Sequence, residues 1–124
     1  MAKKIRITAG PVTVDAELND TKTAQAIWDS LPIKAHGNRW GREIYFSISA
    51  SGQAENARAE VKVGDLAFWP PGNAFCIFWG PTPASHGSEP RAASPVTVVG
   101  RVTGDPTVFD KAPSGSEVVI EKAG

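Results

Sequence analysis

The run "AFCIFW", Ala74 to Trp79, is apolar at every position. Side chains of a strand point alternately to its two faces, so Phe75, Ile77 and Trp79 face one way and Ala74, Cys76 and Phe78 the other. A strand with one face in water alternates apolar with polar residues; this one has to be covered on both sides. It lies in "GDLAFWPPGNAFCIFWGPTP", residues 64 to 83, which holds five of the chain's ten aromatic side chains and four of its ten prolines. One face can fill the core of a small barrel. The other needs a helix, a loop, a partner chain or a ligand. Pro70-Pro71-Gly72-Asn73 reads as a rigid turn: the prolines fix φ, and Gly72 or Asn73 can take a positive φ.

Elsewhere the period is two. "KIRITA" and "VTVDAEL" alternate around Ile5, Ile7, Val12, Val14, Ala16 and Leu18, with Gly10-Pro11 as the turn between them. Further strands are predicted over 43–49, 59–63, 66–69, 74–79, 95–102 and 117–121, with a tight reversal at 63–66. "NDTKTAQAIWDSLP" breaks the pattern. Ala24, Ile27, Trp28 and Leu31 have helical spacing, Asp20 or Thr21 can cap the start, and Pro32 ends it. A helix over about 22–31 would plug a barrel end with Ile27 and Trp28. The loop "PTPASHGSEPRAASP", 81–95, is long enough to form a flexible rim. No repeat or shift in composition divides the chain, so residues 1–124 are expected to form one domain.

Thirteen basic residues balance thirteen acidic ones without long runs of either sign. That argues against nucleic acid and anionic membranes as partners. Cys76 stands alone, so no intrachain disulfide forms; no signal-peptide core or membrane span is visible, and the expected setting is cytoplasmic. There is no phosphate loop, dinucleotide fingerprint or nucleophile elbow. The histidines, His36 and His86, are fifty residues apart without local ligand partners, so neither metal nor cofactor is expected.

The blocks "WGREIYF" (40–46), "GDLAFWPPGNAFCIFWGPTP" (64–83) and "ASPVTVVGRV" (93–102) resemble those of a family of small bacterial and archaeal cyclophilin-like proteins. The resemblance implies an all-β fold, a closed barrel of about eight strands with one principal helix. It does not transmit proline isomerisation, because a fold does not carry a function. Cyclophilins proper carry a Phe-His-Arg run, which this sequence lacks, and neither histidine sits in a matching context.

The residues offer a candidate site at the barrel rim. Trp40, Tyr45, Trp69, Phe75 and Phe78 can wall an apolar pocket. Glu43 can hold an amine or accept a proton, and Arg91 can clamp a carboxylate or polarise an amide. Plainer roles compete: aromatics fill barrel cores, Glu43 can be a rim ion pair, and Arg91 or Arg101 can be solvated. Cys76, between Phe75 and Ile77, reads as inert packing rather than a nucleophile. The leading expectation is a protein binding a small molecule or peptide at this rim. The alternative is a peptidyl-prolyl cis-trans isomerase using an arginine. A third possibility makes the outer face of 74–79 a homo-oligomer interface.

Overall fold

The structure is a computed structural model and describes residues 3–50, 52 and 54–123. In chain order the elements are β1 (Lys3–Ala9), β2 (Val12–Leu18), α1 (Lys22–Asp29), β3 (Ile33–His36), β4 (Asn38–Arg39) and β5 (Glu43–Ser47). There follow β6 (Arg58–Glu60), β7 (Asp65–Trp69), β8 (Ala74–Phe78), β9 (Arg91–Val102) and β10 (Glu117–Lys122). Tight 3-10 turns occupy Pro70–Gly72 and Pro106–Lys111. No helix among the described residues is long and apolar enough to cross a membrane.

The strands form a ten-stranded antiparallel sheet in the order β3-β10-β1-β2-β9-β7-β8-β5-β4, with β6 added to β9. The expectation was a closed barrel of about eight strands. What is observed is a path with two ends, β3 and β4, and no ladder between them among the described residues. Those ends are consecutive in the chain, separated by Gly37 alone. β3 pairs with β10 and β4 with β5, so residues 33–39 run from one end of the path to the other. Gly37 donates to the Ser116 carbonyl and accepts from the Gly115 N–H. Both strands escaped the sequence reading because "IKAHGNR" has little apolar alternation.

Alternation places the core. Ile5, Ile7, Val14, Leu18, Ile44, Phe46, Leu66, Phe68, Phe75, Ile77, Val118 and Ile120 form one buried cluster. The Phe46 and Phe75 rings stack at 5.6 Å. The helix starts where Thr21 accepts from the Ala24 N–H, and it adds Ala24 and Ile27 to this cluster with Trp28 half-buried. It ends at Asp29, two residues before the Leu31–Pro32 bond, which is cis. A second contribution was not foreseen: the 106–111 turn inserts Phe109, whose ring lies 5.5 Å from Trp79. Trp79 Nε1 donates to Asp110, and Arg39 lies over the same indole.

The other face of β8 meets its own chain. Ala74, Cys76 and Phe78 join Ala67, Val61, Ala92 and Val96 in a second buried cluster. The cover is made by Val61, which follows β6, and by the first half of β9. β9 therefore begins at Arg91, four residues before the predicted start, because Ala92 and Val96 are needed as the lid. This face of residues 74–78 is buried by the chain itself.

The flexible rim expected at 81–95 is instead a cross-linked loop. The Glu89 carboxylate accepts from the His86 and Gly87 N–H groups and from Arg91 Nε. Ser85 Oγ donates to the Glu89 carbonyl, and Thr82 Oγ1 donates to the Arg91 carbonyl. Serine, threonine and glutamate here replace water as the partners of a turn-rich backbone. Led by the His86 N–H, these donors hold the Glu89 carboxyl down to about 2.

A Cβ on Gly37 would lie 2.6 Å from Ile44 Cγ2 and 3.0 Å from Val118 Cγ2, whereas one on Gly104 would meet nothing within 4 Å. We expect Gly37→Ala to lower stability by roughly 1–3 kcal/mol through overpacking. Gly104→Ala, on an open surface, should change it by less than about 0.5 kcal/mol. Urea denaturation of the two variants checks this, and equal midpoints would show that the 33–39 crossing is not tightly packed.

Candidate functional site

Strand parity assembles the site. In the β5–β8 ladder Glu43 lies opposite Phe78 and Tyr45 opposite Cys76, so Glu43, Tyr45 and Cys76 share the second face of the sheet. In the β7–β8 ladder Trp69 lies opposite Ala74, which brings Trp69 to the same face. Trp40 enters from the turn that joins β4 to β5, where its N–H donates to the Glu43 carbonyl. Gly41 holds that turn at φ +66, with its Cβ position 2.8 Å from the Pro81 carbonyl oxygen. The Arg42 N–H donates to the same carbonyl at 2.9 Å. Hence the 81–90 loop and the Trp40 turn are fixed to each other.

The second cluster does not fill all the space under its cover. A cavity of about 130 Å³ remains, lined by Trp40, Glu43, Tyr45, Trp69, Cys76, Ala92 and Ala93. An apolar cavity near this size holds a single benzene-like ring. Trp69 is held as a wall by Nε1, which donates to Ser94 Oγ at 2.7 Å, and by its end-of-strand position before Pro70. Its ring also lies against Gly72, where a Cβ would be 2.8 Å from Trp69 Cζ3. The two alanines on β9 are small enough to leave the opening.

Glu43 is the chemical centre of this space. It is 5 % exposed. Burial disfavours its charged form and raises its pKa to about 7, against a smaller opposing effect of the Cys76 thiol, which hydrogen-bonds it. Neither neighbouring guanidinium neutralises it: Arg42 Nε pairs with Asp110 at 3.2 Å, and Arg39 bonds the Gly41 and Ala112 carbonyls. Cys76 is 2 % exposed, and burial followed by the Glu43 charge pushes its thiol up. A thiol so placed is a poor nucleophile. The carboxyl can therefore exchange a proton near neutral pH or pair with a positive group.

The structure brings together Trp40, Glu43, Tyr45 and Trp69 from among the candidates named in the sequence. Three others lie elsewhere. Phe75 points into the inner core, on the opposite face of β8. Phe78 is fully buried in the second cluster, beneath the cover rather than along the opening. Arg91 reaches Glu60 at 3.2 Å and Glu89 at 3.0 Å and does not line the cavity. Cys76, Ala92 and Ala93 complete the lining. Cys76 had the parity to be found, since it alternates with Phe75, but its register against Tyr45 is not written in the sequence. Arg101 lies in a second, wider cleft with Glu17, Asn19, Asp20 and Asp65. Two of the groups there are engaged: Asn19 Nδ2 donates to the Val98 carbonyl, and Asp65 accepts from the Lys62 N–H.

Comparison with known proteins follows the fold. A family model described as cyclophilin-like matches residues 3–121. The solution structure of the hypothetical protein AF2241 from Archaeoglobus fulgidus is similar to this chain, at 38% identity and a TM-score of 0.82. The match covers 98% of this chain and 95% of that one. No curated protein matches.

Glu43 makes stability depend on pH. Between its ordinary value of 4.5 and about 7 the folded protein keeps a proton that the unfolded chain has released. The stabilisation is thus complete below 4.5, declines as pH rises toward 7 and is gone above it, a loss on the order of 3–4 kcal/mol. Asp65, raised by burial, adds in the same sense. We expect Glu43→Gln to flatten the wild-type slope between pH 5 and 7.5 in urea titrations; parallel slopes would place Glu43 in water. Gly72→Ala should displace the Trp69 ring, seen as a shift and broadening of its indole N–H resonance. An unmoved resonance would mean that the ring is not seated on Gly72.

Proposed function

The chain belongs to the cyclophilin-like family, and on that scaffold we propose that it is a binding protein for a small molecule or a short peptide group. The ligand enters the cavity between Trp40, Tyr45 and Trp69. One observation carries this reading: a buried carboxyl, with no cation among the described residues lining the space, opens into an aromatic-walled cavity of about one ring's volume. A core that needed only packing would place an apolar side chain at position 43, because burying an acid costs several kcal/mol. The aromatic walls supply apolar contact and Glu43 orients a polar group of the ligand. We place the protein in the cytoplasm on its lone buried thiol and balanced charge.

An isomerase needs a donor over the twisted amide. The arginine expected for that role, Arg91, directs its guanidinium to Glu60 and Glu89, and no arginine is among the described residues lining the cavity. Binding without catalysis is the reading that fits the described lining. We extend the reading to a closed barrel, supported by residues 33–39, which run from one end of the sheet path to the other.

A screen of small aromatic and heterocyclic fragments by amide NMR tests the proposal. Binders are expected to shift resonances of Trp40, Tyr45, Trp69, Ala92 and Ala93 together, and Trp69→Ala should weaken them about tenfold, from lost aromatic contact. Fragments that map to the Asp65–Arg101 cleft, or none that map to the cavity, would contradict it.

A further inference from the structure

Resting on the cavity being a binding site, the geometry points to its ligand class: an organic cation of about one ring's size that carries an N–H, such as an amidinium, guanidinium or N-alkylammonium group. Three independent features converge on this chemistry. The first is the set of walls. Trp40, Tyr45 and Trp69 present three electron-rich aromatic side chains around one small space, and aromatic faces attract cations, most strongly where water is excluded.

The second is the floor. Glu43 is a carboxyl 5 % exposed, with a thiol as its hydrogen-bonding side chain and without a charged partner among the described residues. The titratable groups facing it are Cys76, across the ladder at Tyr45, and Tyr45 itself. Neither is basic. A cation with an N–H would give the carboxylate a charge-assisted hydrogen bond and offset the burial that disfavours its ionised form. A neutral ring would leave the carboxyl more deeply buried with no gain. An anion would meet Glu43 and find no lysine or arginine among the described lining residues.

The third is the removal of competitors. Three arginines are held by other groups: Arg39 over Trp79 and on the Gly41 carbonyl, Arg42 on Asp110, and Arg91 on Glu60 and Glu89. None of these three is among the described residues lining the cavity. The fold satisfies each of them elsewhere, which leaves Glu43 as the acid that a ligand must meet.

Benzamidine, benzamide and benzoate share one shape and differ in charge, so they separate the class from the pocket. Titrations followed by tryptophan emission and calorimetry at pH 8 should show benzamidine binding about tenfold or more tighter than benzamide, the worth of one charge-assisted hydrogen bond. Benzoate should bind weakest. At pH 6, two buffers of different ionisation enthalpy should reveal close to one proton released per benzamidine bound, and none at pH 8.5. Glu43→Gln should abolish the preference for benzamidine over benzamide. If benzamide or benzoate binds as tightly as benzamidine and Trp69→Ala removes that binding, the cation assignment is overturned and the pocket stands. If none of the three binds, the assignment is again overturned, and the wider fragment screen alone decides whether the cavity is a site. The wild-type charge series is sufficient if the Gln variant does not fold.

Discussion

Burial of β8 on both faces is the constraint from which the rest follows. Phe75 and Ile77 fill the inner core, where Phe75 stacks on Phe46. Ala74, Cys76 and Phe78 would expose a contiguous apolar strip unless something covered them. The chain covers them itself with Val61, Ala92 and Val96. That need explains why β9 is twelve residues long, why β6 pairs with its first half, and why the 81–90 loop is tied down so densely. Where the cover is made of small residues, Ala92 and Ala93, it falls short of close packing, and the cavity is the shortfall.

Glu43 belongs to the same argument. Its place as first residue of β5 gives it the parity of Tyr45, so it is delivered to the covered face rather than to solvent. A polar residue at that parity is costly, and the fold does not relieve the cost with a cation: the adjacent Arg42 turns to Asp110, which also accepts from Trp79. A proton near neutral pH is what remains to neutralise it. Site and scaffold are therefore one packing problem with an imperfect solution on one side.

Much of this was legible in the residues. The parity of residues 74–79 gave the two faces, the spacing of Ala24, Ile27 and Trp28 gave the helix, and Pro70–Asn73 gave the turn, where Asn73 takes the positive φ. Trp40, Glu43, Tyr45 and Trp69 could be named because aromatics beside turns sit where strand ends open. What could not be read was register. Phe75 and Phe78 looked equivalent to Tyr45 as wall candidates until the ladders assigned Phe75 to the inner core and Phe78 beneath the cover. Arg91 looked free because its partners, Glu60 and Glu89, meet it only through the β6–β9 pairing and the loop. The strands at 33–39 were invisible because their role is to join two sheet ends, a task that needs a bare Gly37 more than an apolar pattern.

The account stands on Glu43 being a buried acid that lines the cavity with no charged partner among the described residues. A carbon-13 NMR titration of its side-chain carboxyl measures this directly. The account predicts a midpoint near 7, with the indole N–H of Trp69 and the ring of Tyr45 shifting at the same midpoint. A midpoint near 4.5, the ordinary carboxylate value, with silent aromatics would contradict it, because Glu43 would then be in water and the cavity would hold no buried charge for a ligand to meet.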